Sequence, residues 1–329
     1  MCKLIVFSCL VIATLGFGQK INGVNFVSAQ SEGITNYITP LDRINANYIA
    51  LTPFMIMHEG NTEIAYETKD NYYGDFKENM IAVINQAHFS KKKIMLKPHI
   101  WIKNVGWAGN LNFSNSDWKI WQNTYVTRIL DFAHFAEDQQ IEAFCIGVEL
   151  KNAVNHDPDF FVLLINKVRA IYSGKITYAA NWDNYFNVPF WEELDYIGID
   201  CYFPISNENN PSKHELKKSW QKRIKRMKET SLKHNKKIVF TEFGYRSTNK
   251  SLGKQWEIEY QKELEVNLAL QELGYEVFFE EVYSQPFVAG GFLWKWYAED
   301  NLYLNFKNND YTPQHKPVER VIKRWYSKK

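Results

Sequence analysis

Short apolar runs alternate with longer amphipathic segments along almost the whole chain. The runs are Ile21 to Ala29, Tyr48 to Ile56, Lys93 to Trp101, Ala143 to Leu150, Ile176 to Trp182, Tyr196 to Phe203, Ile238 to Tyr245 and Val288 to Tyr297. Each is rich in Ile, Val, Phe or Tyr and mostly bounded by polar residues, as buried parallel strands are. Between them the apolar period changes to three and four. Trp118, Trp121, Tyr125, Ile129, Phe132 and Phe135 make one apolar helical face. Asp157-Pro158 opens a helix over Phe160 to Ile171, which Ser173-Gly174 ends. Lys213 to Lys237 predicts a basic helix buried along Leu216, Trp220, Ile224 and Met227, with its charges on a solvated outer face. Gln255 to Leu273 predicts another long helix, stopped by Gly274. Eight strand–helix units in one series imply an α/β chain folded as a single (β/α)8 TIM barrel. A doubly wound open sheet is the rival. It lacks its glycine-rich nucleotide turn, since the first run is followed by Gln30-Ser31-Glu32-Gly33.

The amino-terminal stretch departs from this rhythm. Lys3 precedes a mostly apolar segment, Leu4 to Phe17, with Gly16 and Gly18 ahead of Gln19. That pattern reads as a signal peptide over residues 1–18, leaving a mature domain of 19–329 and an exported protein, periplasmic or extracellular. The stretch is short for a membrane span. Lipid attachment at Cys9 is a weaker alternative, because Val6-Phe7-Ser8 matches poorly. Cys145 and Cys201 remain after cleavage, on strands that do not adjoin in a barrel, and read as buried thiols rather than a disulfide. With 39 basic against 37 acidic residues, nothing pulls the chain toward nucleic acid. Among 8 His there is no His-Glu-x-x-His run or paired spacing, so neither a metal nor another cofactor is expected. A monomer is expected.

Two glutamates carry the chemistry. Glu149 ends Ala143-Phe144-Cys145-Ile146-Gly147-Val148-Glu149, and Glu242 lies near the end of Ile238-Val239-Phe240-Thr241-Glu242-Phe243-Gly244. A closed barrel gathers the carboxyl ends of its strands around one mouth. Paired carboxyls there are what glycosidic cleavage requires. Side chains alternate along a strand. If Gly147 and Cys145 line the interior, so does Glu149; if Phe240 and Ile238 do, so does Glu242.

These phrases resemble a known group. Phe240-Thr241-Glu242-Phe243-Gly244-Tyr245-Arg246-Ser247 resembles the nucleophile strand of the clan A retaining glycosidases. Asp195-Tyr196-Ile197-Gly198-Ile199-Asp200-Cys201-Tyr202-Phe203-Pro204 resembles the sixth strand of glycoside hydrolase family 113. Gly147-Val148-Glu149 is similar to that family's acid/base strand, and Gly290-Gly291-Phe292-Leu293-Trp294-Lys295-Trp296-Tyr297 to its eighth. The resemblance covers nearly the whole mature chain. It implies a retaining β-glycoside hydrolase acting on β-1,4-mannan or a related β-glycan, with Glu149 as acid/base and Glu242 as nucleophile. Where many clan members carry Asn before the acid/base, this chain has Val148. The contact to the sugar 2-hydroxyl then falls elsewhere, with Asn181 the candidate. The alternative is an inactive barrel that binds carbohydrate.

Other strand-end residues fit an oligo- or polysaccharide ligand. His99 and Trp101 end the third run, Asn181 and Trp182 the fifth, Tyr202 the sixth and Tyr245 the seventh. Tyr202 can hold Glu242 by a hydrogen bond, and Arg246 can lower a nearby carboxyl or form a structural ion pair. Trp294 and Trp296 share one face of strand eight under strict alternation, so one is expected to floor the cleavage site. The loop Asn104 to Asn115, with Trp107, is a candidate cleft wall.

Overall fold

The computed structural model describes residues 19–27, 36–66, 73–103, 106–257, 265–298 and 309–328. The expected signal segment lies outside the described residues. Eight parallel strands close into a barrel in the order β1 (Ile21–Val27), β2 (Tyr48–Leu51), β4 (Lys93–Leu96), β6 (Ala143–Val148), β7 (Lys175–Asn181), β8 (Ile197–Asp200), β9 (Ile238–Phe243) and β10 (Val288–Tyr297). Pairing of β1 with β10 closes the ring. The second and third apolar runs each break at a proline, Pro53 and Pro98, which have no N–H to give a ladder. Beyond the breaks, β3 (Phe54–His58) and β5 (His99–Lys103) pair with each other as a separate two-stranded sheet continuing past the carboxyl ends of β2 and β4.

Ile21, Ala50, Met95, Ala143, Cys145, Ala179, Val239 and Phe292 pack together from seven strands and fill the barrel interior. Gly23 makes room for Phe292, since a Cβ there would meet its ring at 2.3 Å. A larger apolar layer lies between strands and helices. The helices are α1 (Thr39–Asp42), α2 (Lys77–Phe89), α3 (Asn115–Asp138), α4 (Lys151–His156), α5 (Pro158–Arg169), α6 (Lys213–His234), α7 (Leu268–Phe278) and α8 (Val318–Tyr326). The aromatic stripe of α3 is buried, with Trp121 stacked on Tyr125 at 4.8 Å. Asp157 caps α5 by accepting the Phe160 N–H, with Pro158 in the first turn. A capping box between Ser212 and Glu215 starts α6. No helix among the described residues is long and apolar enough to cross a membrane.

The helix expected over Gln255 to Leu273 is not one element. Gln255–Glu257 is a single 3-10 turn, residues 258–264 lie outside the described residues, and α7 begins at an Asn267 cap. It also runs through Gly274. That glycine serves packing, because a Cβ would lie 2.7 Å from Leu252 and 3.0 Å from Tyr245. Cys145 and Cys201 are buried free thiols.

Candidate active site

Strict alternation does not aim the two glutamates. Ile238 and Phe240 face the helices, with Phe240 5.3 Å from Phe278, and it is Val239 that enters the barrel. An extra residue in β9 then resets the phase: Ile199 pairs with Phe240, but Asp200 pairs with Glu242. The register to β10 slips over the same stretch. Such a bulge re-aims the side chain that follows it. The Thr241 carbonyl accepts from Asn25 Nδ2 at 3.1 Å and from Lys97 Nζ at 3.3 Å.

In β6 the slip falls between Cys145 and Val148. Cys145 lines the interior, but Gly147 faces outward, where a Cβ would lie 2.7 Å from the Tyr125 hydroxyl of α3. Glu149 follows with a left-handed φ of 53°. Its N–H still reaches the Ala179 carbonyl at 2.7 Å. A non-glycine residue in that region costs about 1–3 kcal/mol, and such residues cluster at functional sites.

At the base of the barrel mouth, Glu242 is buried between two donors. Lys97 Nζ lies 2.5 Å from its Oε1, and the Tyr202 hydroxyl donates to its Oε2 at 2.8 Å. Lys97 is 0% exposed and sits at the Pro98 break between β4 and β5. The Lys97 ammonium also lies 5.5 Å from the ring centre of Trp294. Burial and the Glu242 charge hold the Tyr202 hydroxyl well above its usual range, so it stays a donor. His99 Nε2 lies 3.7 Å from Glu242 Oε1, too far for a hydrogen bond, and has no other partner. Burial, then the Lys97 charge, push the imidazole well below its ordinary value, so it is neutral.

Glu149 meets the opposite environment. Burial first, then the Glu242 charge, push its carboxyl up to about 8, while the Trp107 indole N–H donates to Oε2 and works against the rise. The loop expected to wall the cleft therefore touches the site directly; its residues 104–105 lie outside the described residues. Asp183, paired with Lys151 at 2.8 Å, adds a smaller upward push. A third carboxyl, Asp200, lies fully buried beside Glu242. It accepts from the Thr241 hydroxyl at 2.7 Å, its Oδ2 has no partner, and burial with the Glu242 charge holds it well above the carboxylate range.

The remaining expected residues divide. Trp294 is half-buried and stacked on His99 at 6.0 Å. Trp296 is fully buried in the outer core, with the Arg43 guanidinium 5.3 Å from its ring. The register between β1 and β10 slips between Val24 and Phe26, so the two Trp do not share a face. Tyr245 is buried in the outer core, 5.5 Å from Tyr275. Arg246 is buried and its Nε donates to the Asn309 carbonyl; the cation against Glu242 is that of Lys97. Asn181 ends β7, its Oδ1 accepting the Trp182 N–H. Trp182 packs 5.6 Å from Phe203 and 5.6 Å from Trp256. Trp101 is 40% exposed on β5, edge-on to Phe54, and Trp256 is 51% exposed.

Sequence reasoning missed Lys97 and Asp200. Both carried a signal, a charge inside an otherwise apolar run, which is the mark that singled out the glutamates.

A closed barrel with two carboxyls of opposed environment at its mouth is the frame of a glycoside hydrolase. The chain belongs to Glycoside Hydrolase Family 113, whose family model matches residues 23–316. Its fold is similar to that of a family 113 β-mannanase from Alicyclobacillus acidocaldarius, at 24% identity and a TM-score of 0.80, over 94% of this chain and 97% of that one. A structure described as a family 113 β-1,4-mannanase matches at 25% identity and a TM-score of 0.79, over 94% of this chain and all of that one. A β-glucuronidase from Ruminococcus gnavus shares the fold at 13% identity and a TM-score of 0.64, over 93% of this chain and 50% of that one. A comparison with curated proteins finds no match.

Proposed function

We propose that this glycoside hydrolase cleaves β-1,4-mannan or a related β-glycan from within the chain, with retention, through a covalent intermediate. The observation that carries this reading is the contrast between the two carboxyls. Glu242 is held between the Lys97 ammonium and the Tyr202 hydroxyl, each of which donates to one of its oxygens. Glu149 is pushed up to about 8 and so holds a proton at neutral pH. Two carboxyls whose environments drive them apart are the signature of a nucleophile and an acid.

In the first step the Glu149 proton passes to the glycosidic oxygen as that oxygen leaves, and a Glu242 oxygen bonds to the anomeric carbon. In the second, a water attacks the same carbon, gives its proton to the Glu149 carboxylate, and Glu242 departs as a carboxylate. Tyr202 keeps the nucleophile in place during both steps. We assign the sugar platform at the cleavage point to Trp294. His99, with its free Nε2, and Asn181 are assigned to hydroxyl groups, and Trp101 and Trp182 to flanking sugars. Trp296 and Tyr245, both buried in the outer core, receive no substrate contact in this assignment. A carboxyl separation of about 5–5.5 Å goes with this chemistry, against roughly 6.5–9.5 Å for inversion. Export after cleavage before Gln19 belongs to the same reading, and sequencing the amino terminus of the secreted protein tests it.

The test of function is reducing-sugar release from a panel of β-glycans, with products identified by mass. Internal cuts in mannan support the proposal. Binding without release from any glycan overturns it in favour of an inactive carbohydrate-binding barrel.

A further inference from the structure

Three carboxyls share the floor of the barrel mouth, and one ammonium lies among them. Glu242 is faced by Lys97 from the break after β4, by His99 from β5, by Glu149 after β6, by Asp200 at the end of β8 and by Tyr202 just beyond. His99 is neutral, so Lys97 is the one cation among these groups. Its Nζ lies 2.5 Å from Glu242 Oε1, and it also reaches the Thr241 carbonyl at 3.3 Å and the Trp294 ring at 5.5 Å. Asp200 has one oxygen with no partner, which a neutral carboxyl tolerates far better than a carboxylate does. Glu149 has a single indole donor and no cation in contact among the described ion pairs. The one ammonium therefore stands on Glu242 and on neither of the other two carboxyls.

We propose that Lys97 is a positioning residue of the hydrolytic reaction, whose buried ammonium fixes the single negative charge of the floor on Glu242 rather than on Asp200 or Glu149. This rests on the reading of Glu242 as nucleophile. Lys97 does not touch the substrate. It acts through Glu242, and it is anchored to do so by complete burial and by the bulged Thr241 carbonyl, which Asn25 also holds. When the covalent intermediate forms, the Glu242 charge is lost and the ammonium faces an ester. It then favours return of the carboxylate, which is the second step.

The test has two arms. The first is the pH profile of kcat/KM for wild type, Lys97→Met and Lys97→Gln on a soluble β-1,4-manno-oligosaccharide. An opposite charge in contact moves a carboxyl by about one to three pH units. Its loss should move the acid limb toward alkaline pH by that amount, and the basic limb, set by the more distant Glu149, by less. Limbs that stay in place under a uniform drop in rate overturn the proposal. The second arm holds if neither Lys97 variant folds, and needs no activity. The Lys97 ammonium is titrated by NMR in wild type and in Glu242→Gln. It should lose its proton at clearly lower pH in the variant, and an unchanged titration overturns the proposal. Labelling of wild type with a 2-fluoro mannosyl fluoride separates the two readings. If Glu242 is not the labelled residue, the nucleophile assignment fails while the second arm still decides the pairing.

Discussion

Replacing Glu149 by Gln should stabilise the protein at neutral pH and leave it unchanged in acid. The folded chain holds this carboxyl up at about 8 against an ordinary value of 4.5, chiefly by burial and then by the Glu242 charge. Below 4.5 both folded and unfolded chains carry the proton, so nothing is lost. Above it the unfolded chain ionises and the folded one does not, and stability falls steadily until pH reaches about 8. At pH 7 the gap is about 2.5 units, and at about 1.36 kcal/mol per unit the cost is about 3 kcal/mol. Glutamine is neutral at every pH, nearly isosteric, and offers an oxygen to the Trp107 indole. The variant should therefore melt about 5 °C above wild type at pH 7, given the entropy of unfolding of a chain this long. At about pH 4 the two should coincide. The assay is calorimetric or circular-dichroism melting of both proteins across that range. A pH-independent difference, or a variant that melts lower at pH 7, would show Glu149 ionised at rest and would remove the acid from the proposed mechanism.

Trp107→Phe removes the donor that favours ionised Glu149, so the basic limb of the kcat/KM profile should move up by about one pH unit; movement downward contradicts the assignment. Glu242→Ala should abolish turnover, whereas Glu149→Ala should spare substrates with good leaving groups and be partly rescued by azide with a retained-configuration azide product. Rescue of Glu242→Ala in that manner would exchange the two roles. Trp294→Ala should lower kcat/KM at nearly constant Tm, and Trp296→Ala should cost about 3–5 kcal/mol of stability as a core aromatic does; the reverse pattern refutes the platform at Trp294.

The alternation of short apolar runs and amphipathic helices made the barrel legible, because burial of every strand on both faces leaves a strong compositional mark. Glu149 and Glu242 were legible as charges closing uncharged runs. Their aim was not. Period-two reasoning places Ile238 and Phe240 inside, and a single extra residue at Thr241 reverses that. The same holds where Trp294 and Trp296 separate, since a register slip is a property of pairing between strands distant in sequence. Pro53 and Pro98 marked the breaks in the second and third runs, yet not that the pieces beyond would pair with each other. Lys97 stood in plain view between Leu96 and Pro98. The role proposed for it rests on a contact with a residue 145 positions away, which no local pattern carries.

The central claim, that Glu242 forms a covalent intermediate with the sugar, is tested most directly by the stereochemistry of the first product. A β-1,4-manno-oligosaccharide hydrolysed in an NMR tube should release the β anomer first, with the α anomer growing in only by mutarotation. Appearance of the α anomer first would mean a single displacement and would contradict the nucleophile assignment.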